Sequence, residues 1–99
     1  MNIENGKVMT LKLNSGEELI TKVLEKEGNY LVIQEPVSVG PGPKGMGLVP
    51  SLFTADPKGE YRLNTDSIAM YAPTEDNVKD KYIEATTGIK VPSKQLIMG

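Results

Sequence analysis

The sequence contains no cysteine, no histidine and no tryptophan, and it has a single phenylalanine, Phe53. Without cysteine the chain has neither a disulfide nor a thiol nucleophile, and without histidine it lacks the commonest general base and metal ligand. No serine lies in the GxSxG pattern of an activated nucleophile, and the carboxylates alternate with lysines as on a solvated strand edge. We therefore expect a protein that is not an enzyme, with no catalytic residue, no metal ligand and no cofactor.

Long apolar runs and an excess of basic charge are also missing. No segment approaches the about 20 apolar residues that cross a membrane, and the first residues, MNIENGK, lack the pattern of a signal peptide. We expect a cytoplasmic protein with no membrane partner. The 11 basic and 13 acidic residues give a formal net charge of −2, which argues against a dedicated duplex-DNA binder. They leave open the binding of a few unpaired bases by stacking and hydrogen bonds.

Strand-forming segments separated by turn residues occupy the first three quarters of the chain. Met9, Leu11 and Leu13 alternate with polar residues as in a half-buried strand, and Gly16 follows in a turn. The next segment is apolar on both faces, which is typical of a bent strand that crosses between two layers of a barrel. Five strands are predicted, at residues 8–13, 18–25, 30–34, 48–55 and 68–72. Residues 37–39 are compatible with an edge continuation, and residues 60–63 lead out of a type I turn.

Two further segments complete the prediction. Residues 40–47 are rich in glycine and proline, lack the Lys-Ser/Thr of a phosphate-binding loop, and are expected to form a flexible loop. Acidic residues after Pro73 and a glycine at position 88 indicate a helix over about residues 75–87. The predicted fold is mainly β, a small five-stranded, strongly bent open barrel with a C-terminal α-helix. The barrel would occupy residues 1–72, and the helix and tail, residues 73–99, would pack on the same domain.

Two short motifs resemble the Sm-like (LSm/Hfq) family. Residues 13–19, LNSGEEL, are similar to the start of its first motif, with Thr21 where a second glycine usually helps the strand to bend. Residues 63–68, LNTDSI, have the length and the apolar ends of the second motif, but Asn64 and Thr65 replace its Arg-Gly pair. The C-terminal helix and the residues EATTGI at 84–89 resemble Sm-like proteins encoded by tailed bacteriophages. That resemblance would place the protein in the host cytoplasm.

The resemblance implies an assembly and a ligand. Sm-like barrels pair the fourth strand of one subunit with the fifth strand of the next, which closes a ring of roughly five to eight copies. Here residues 68–71 and part of 48–63 would line that interface. Such rings bind single-stranded, U- or A-rich RNA, with a base stacked near the turn between strands two and three. The residues at the corresponding positions are Glu27, Asn29, Tyr30, Arg62 and Asn64.

Both a binding site and a purely structural turn remain open for these residues. Asn29 retains the amide that reads a base edge, and Tyr30 has a ring on which a base can stack. Asn64 stands at the position of the cationic stacking residue, while Arg62, the only arginine, lies two residues earlier on the same side of the strand. Alternatively, Asn29 is only a turn residue and Tyr30 a core or interface aromatic. The corresponding alternative function is a structural or protein-interaction ring that has lost its affinity for RNA.

Overall fold

A computed structural model describes residues 3–43 and 45–87 of the chain. Six strands precede one helix in these residues. They are β1 (Lys7–Leu13), β2 (Glu18–Glu27), β3 (Tyr30–Gly42), β4 (Gly45–Pro50), β5 (Glu60–Asn64), β6 (Ile68–Pro73) and α1 (Asp76–Thr87), with a 3₁₀ turn, Thr65–Ser67, between β5 and β6. No helix within the described ranges is long and apolar enough to cross a membrane.

All strand pairs are antiparallel and form one strongly bent sheet. The order is β4-β3-β2-β1-β6, and β5 pairs with the first half of β3, whose second half pairs with β4. Because β6 and the pair β4 and β5 lie at opposite ends of this order, the sheet is an open barrel. The predicted mainly-β fold with a C-terminal helix is therefore confirmed. The sheet has six strands because the region between residues 45 and 64 contributes two strands separated by an irregular segment.

The expectation of a loop at residues 40–47 was wrong. This region forms the end of β3 and the start of β4, with Gly40 opposite Gly47 and Gly42 opposite Gly45. Close approach of the two strands explains the glycine at position 42, because a Cβ added there would lie 3.3 Å from the carbonyl oxygen of Gly45. Gly45 has a φ of 108°, a conformation that glycine adopts without steric cost. The composition that indicates a loop here serves a tight, two-stranded ribbon instead.

The predicted boundaries agree with the structure for the helix and differ from it for the strand predicted at residues 48–55. The helix begins at Asp76 and ends at Thr87, within one residue of the predicted range, and Lys79 N–H donates to the Glu75 carbonyl at 2.8 Å. The strand expected at residues 48–55 ends at Pro50, because proline lacks the N–H that continued pairing requires. The expected contacts of the tail, residues 88–99, lie outside the described residues.

The bend in β2 and β3 is held by side chains from two different elements. The β2–β3 register shifts between Ile20 and Lys22, opposite Glu35, which has a positive φ of 52°. Buried Thr21 donates its hydroxyl to the Gln34 carbonyl at 2.9 Å. The single hydroxyl proton of Tyr82 in α1 is shared between the Glu35 carbonyl at 2.8 Å and the Gln34 carbonyl at 3.2 Å. Backbone groups that the bulge removes from the strand ladder are therefore satisfied by Thr21 and Tyr82.

Two separate clusters of buried side chains form on the two faces of β2, as its pattern predicted. Leu19 and Val23 belong to the first cluster, and Ile20, between them, belongs to the second. The first cluster consists of buried residues from β1, β2 and β3: Met9, Leu11, Leu19, Val23, Leu31 and Ile33. The second has buried Ile20, Val37 and Tyr82, with partly buried side chains around them, among them Val39, Leu48 and Val78. The helix thus packs on the sheet through the second cluster.

Candidate functional site

The five residues that the resemblance selected lie together at one end of the sheet. Glu27 pairs with Tyr30 across the β2–β3 hairpin, and Tyr30 pairs with Asn64 of β5. Arg62 lies opposite Val32, two residues along the same face. Since side chains alternate between faces in a strand, Glu27, Tyr30, Arg62 and Asn64 project from the same face, away from Leu31 and Leu63. We refer to this group, with Asn29, as the turn cluster.

A two-residue loop, Gly28–Asn29, positions the turn cluster. Gly28 has a φ of 58°, as expected for the first position of a hairpin loop that favours glycine there. The Asn29 carbonyl accepts two hydrogen bonds from Thr65, from the backbone N–H at 2.8 Å and from the hydroxyl at 3.1 Å. Thr65 therefore fastens the hairpin loop to the end of β5. Thr65, which stands in place of the glycine of the second motif, was not among the predicted site residues.

Three of the five side chains, those of Asn64, Arg62 and Glu27, already have partners within the protein. The Asn64 side-chain oxygen accepts the backbone N–H of Asp66 at 2.9 Å and so caps the 3₁₀ turn. Arg62 Nε lies 3.4 Å from Glu27 Oε1 in an exposed ion pair. Tyr30 is 46% exposed, so its ring is neither a core aromatic nor fully free in solvent. An approaching base would find an aromatic face at Tyr30, while the arginine would have to exchange its carboxylate partner.

The electrostatic surroundings of the turn cluster are dominated by carboxylates. The pKa of Glu25 is raised, first by a hydrogen bond with the Glu27 carboxyl and by its charge, then by Glu60, while Arg62 opposes the shift. Among these three carboxylates Arg62 is the cation that opposes the shift, whereas Lys26 alternates to the other side of β2 and its Nζ donates to the Gly28 carbonyl at 2.8 Å. The surplus of negative charge disfavours the phosphates of a nucleic acid. Sequence reasoning missed Glu25 and Glu60, because only the strand register brings them to this face.

The described residues hold no group of three or more Asp, Glu, His or Cys side chains arranged to bind a metal ion. The chemistry available at the turn cluster is therefore stacking on Tyr30, hydrogen bonding by amides and ion pairing.

A second surface stands out at the open edges of the sheet. β4 (GMGLVP) and β6 (IAMYAP) carry no charged residue, whereas β1, β2 and β5 each carry at least two. Large apolar side chains are exposed on or beside them: Met70 is 65% exposed on β6, Met46 71% on β4, and Phe53, just after β4, 79%. Natural edge strands are usually protected by charged side chains. These two strands have proline at their ends but lack that protection.

No protein-family model matches this chain, and none of the curated proteins compared with it matches either. Membership of the Sm-like family accordingly remains a prediction from the two motifs.

Proposed function

We propose that the chain is the non-catalytic subunit of a cyclic homo-oligomer that acts as a structural or protein-interaction ring. The supporting observation is the pair of uncharged edges, β4 and β6, at opposite ends of one open sheet. Two different edges favour a heterologous contact, in which β6 of one copy pairs with the β4 and β5 side of the next. Repetition of such a contact closes into a ring when its rotation divides the circle. This is the contact that the Sm-like resemblance implies.

Pairing would satisfy backbone groups at both edges and remove apolar surface from water. The exposed side chains at the edges, Met46 and Met70, would be covered in the same contact. Burial of apolar surface stabilises association by about 25 cal/mol per Å² before the entropy cost of association is subtracted. A small domain with a lean core gains more from such burial than a large one, because it buries a smaller part of its surface on folding. The hydrophobic fraction here is 38%.

Light scattering after gel filtration tests the assembly. The wild-type chain is expected to elute as one oligomer at micromolar concentration, and native mass spectrometry gives the number of subunits. Met70→Lys and Met46→Lys place a charge at either edge and should each shift the oligomer toward monomer. Ile83→Lys is the matched control, because Ile83 is also an exposed apolar residue but lies on α1.

Two results would contradict the proposal. If the wild-type chain is a monomer at micromolar concentration, the proposed ring is excluded. If Met46→Lys and Met70→Lys leave the oligomer as large as Ile83→Lys does, the edge strands are not the interface. Circular dichroism of each variant verifies that the strands are retained.

Single-stranded RNA is the second candidate ligand, and the turn cluster is the observation that favours it. The exposed ring of Tyr30 lies beside Asn29 and on the same face as Arg62, and repetition around a ring would multiply weak sites into useful avidity. The surplus of carboxylates and the ion pair of Arg62 with Glu27 count against this candidate. We therefore rank it below the structural ring.

Fluorescence anisotropy with labelled oligo-U and oligo-A separates the two candidates. If RNA binds at the turn cluster, Asn29→Ala/Tyr30→Ala should weaken binding, and Glu27→Gln should strengthen it by releasing Arg62 and removing one negative charge. Phe53→Ala is the control, since it removes an exposed aromatic that lies outside the turn cluster. No binding at low salt, or equal binding by wild type and the double variant, excludes the site.

A further inference from the structure

An apolar cavity of about 550 Å³ lies between the second cluster and the first turns of α1. Both end strands of the sheet, β4 and β6, line it, so the cavity occupies the gap across which the barrel stays open. Most of its lining is aliphatic, and the principal apolar side chains are Ile20, Val39, Met46, Leu48, Ala72 and Val78. A volume of this size lies in the range of pockets that enclose a small molecule. The lining therefore fits the hydrocarbon part of a ligand.

Two threonine hydroxyls form a polar part of the cavity wall. Thr10 of β1 and Thr74, just after β6, both line the cavity, and their Oγ1 atoms lie 2.9 Å apart. This bond uses one of the two hydroxyl protons, whichever oxygen donates it, and leaves lone pairs on both oxygens. Thr74 is buried, so its hydroxyl is held in place by the surrounding chain. A ligand group that donates hydrogen bonds can be accepted at this pair.

The charged side chains around the cavity carry a net negative charge. Glu18 and Glu75 contribute two carboxylates, and Lys81 contributes one ammonium group. Glu18 lies 3.9 Å from Lys12 in an exposed ion pair, whereas Glu75 has no ion pair among the salt bridges of the described residues. Lys81 is six residues further along the chain, roughly 9 Å along the axis of α1. The carboxylate of Glu75, next to Thr74 in the chain, is therefore the charged group of the cavity that has no counter-charge.

We propose that this cavity binds a small aliphatic molecule that carries a positively charged amino group. The hydrocarbon part fills the space between β4, β6 and α1, and the ammonium group donates to the Glu75 carboxylate and to the hydroxyls of Thr10 and Thr74. An ammonium group has three donors and no acceptor, which matches this set of acceptors. The positive end of the α1 dipole, about half a charge, is outweighed by Glu75 and the neighbouring Asp76. The site is formed within one chain and does not rest on the proposed ring.

Three probes with the same hydrocarbon chain test the chemical class of the ligand: octylammonium, 1-octanol and octanoate. The amine is charged at neutral pH, as a lysine side chain is. In methyl NMR titrations of the full-length chain, octylammonium should shift the signals of Val39, Leu48 and Val78 saturably and those of Leu31, in the first cluster, much less. Affinity should fall from octylammonium to octanol and from octanol to octanoate. Intermolecular NOEs from the octyl protons to the Val78 methyl groups locate the probe.

Glu75→Gln tests which group recognises the charge. The substitution keeps the size of the side chain and should weaken octylammonium binding about two- to fivefold, as expected for the loss of an exposed ion pair. Octanol binding should be unchanged, because the alcohol carries no charge. Glu84→Gln is the matched control, since Glu84 is also a carboxylate of α1 but does not line the cavity. It should leave both affinities unaltered.

Three results would overturn the proposal. If no probe gives saturable shifts and NOEs at Val78, the cavity is not a site for these ligands, as when a second copy of the chain fills it. If octanol or octanoate binds as tightly as octylammonium, the chemical class is wrong. If Glu84→Gln weakens octylammonium binding as much as Glu75→Gln does, Glu75 is not the partner of the ammonium group. A wild-type monomer contradicts the ring alone, because each of these measurements follows the cavity of one chain.

Discussion

The two clusters of buried side chains, on opposite faces of β2, differ in how completely their own elements enclose them. In the first cluster, six residues from three adjacent strands are buried, and partly buried side chains from β5 and β6 pack around them. In the second, three buried residues come from β2, β3 and α1, and the 550 Å³ cavity adjoins them. The first cluster is closed by local hairpins, while the second depends on a helix that arrives at the end of the described chain.

This difference should make the first cluster contribute more to the stability of the fold than the second. A cluster formed by neighbouring strands has its partners in fixed register, so each side chain has close contacts on all sides. A cluster closed by a single helix keeps an opening along the helix. The bend of β3 joins the two, since Thr21 from β2 and Tyr82 from α1 donate to the same carbonyl of Gln34. Substitutions in the two clusters, and at the bend between them, test this account.

The largest effect is expected in the first cluster. Leu31→Ala removes a fully buried side chain and should reduce the free energy of unfolding by about 2–5 kcal/mol. Leu48→Ala makes the same chemical change beside the existing cavity, where fewer contacts are lost, and should cost roughly 1 kcal/mol. Urea unfolding at one fixed protein concentration measures both, because association would otherwise alter apparent stability. Equal losses would contradict the distinction between the clusters.

A smaller loss is expected for Tyr82→Phe, which keeps the ring and removes its hydroxyl. The Glu35 carbonyl loses its 2.8 Å hydrogen bond, and the Gln34 carbonyl loses one of two. An unsatisfied buried acceptor costs about 1–3 kcal/mol, which urea unfolding at neutral pH would detect.

The pH dependence of Tyr82 gives an independent measurement. Burial and then the charge of Glu35 raise the pKa of the Tyr82 phenol far above its ordinary value of 10. A raised pKa in the folded state means that the stabilisation is complete below pH 10 and is lost as the pH rises above it. Wild type should therefore lose more stability than Tyr82→Phe above pH 10. Parallel curves would show that the phenol does not hold the bend.

Thr21→Val tests the other donor at the bend with a smaller expected effect. The substitution keeps the shape of the side chain, and Tyr82 still donates to the Gln34 carbonyl, so the loss should be about 0.5–1.5 kcal/mol. In the double variant with Tyr82→Phe that carbonyl has neither donor. The combined loss should therefore exceed the sum of the single losses in a double-mutant cycle. Strict additivity would mean that the two donors do not share one carbonyl.

The fold was predictable where the pattern of side chains alone determines the structure. Alternation at Met9, Leu11 and Leu13 located β1, and apolar residues on both faces of residues 18–24 predicted that β2 would serve two layers. The prediction failed at residues 40–47, where glycine and proline serve equally in a loop and in a narrow ribbon. Only the pairing of Gly40 with Gly47 distinguishes these, and pairing depends on the partner strand.

At the candidate site, too, the sequence predicted the types of residue but not their partners on neighbouring strands. Family motifs selected Asn29, Tyr30 and Asn64, and the register of β3 with β5 places them together. The motifs did not indicate that Asn64 caps the 3₁₀ turn or that Arg62 pairs with Glu27. Nor did they indicate the acidic surroundings, because Glu25 and Glu60 are 35 residues apart in the sequence. Local patterns identify types of side chain, whereas charge balance depends on cross-strand neighbours.

The smallest effect, and the sharpest contrast with the buried clusters, is expected at Glu25. Its pKa is raised by the hydrogen bond and charge of Glu27, so the folded state favours the protonated carboxyl. A carboxyl with a raised pKa in the folded state stabilises fully below its ordinary value of 4.5 and loses that contribution as the pH rises above it. Glu25→Gln should therefore lose less stability than wild type between acidic and neutral pH, in a series of urea unfolding curves. Glu4→Gln, which removes an exposed carboxylate that is paired with Lys7, is the control for the loss of one surface charge. Because Glu25 is fully exposed, solvent screens the repulsion and the difference should be small compared with any change in either cluster.

The opposite result is a Glu25→Gln variant whose stability depends on pH in the same way as that of the wild type. It would show that the carboxylates around the turn cluster act independently, and the electrostatic objection to RNA at this site would weaken.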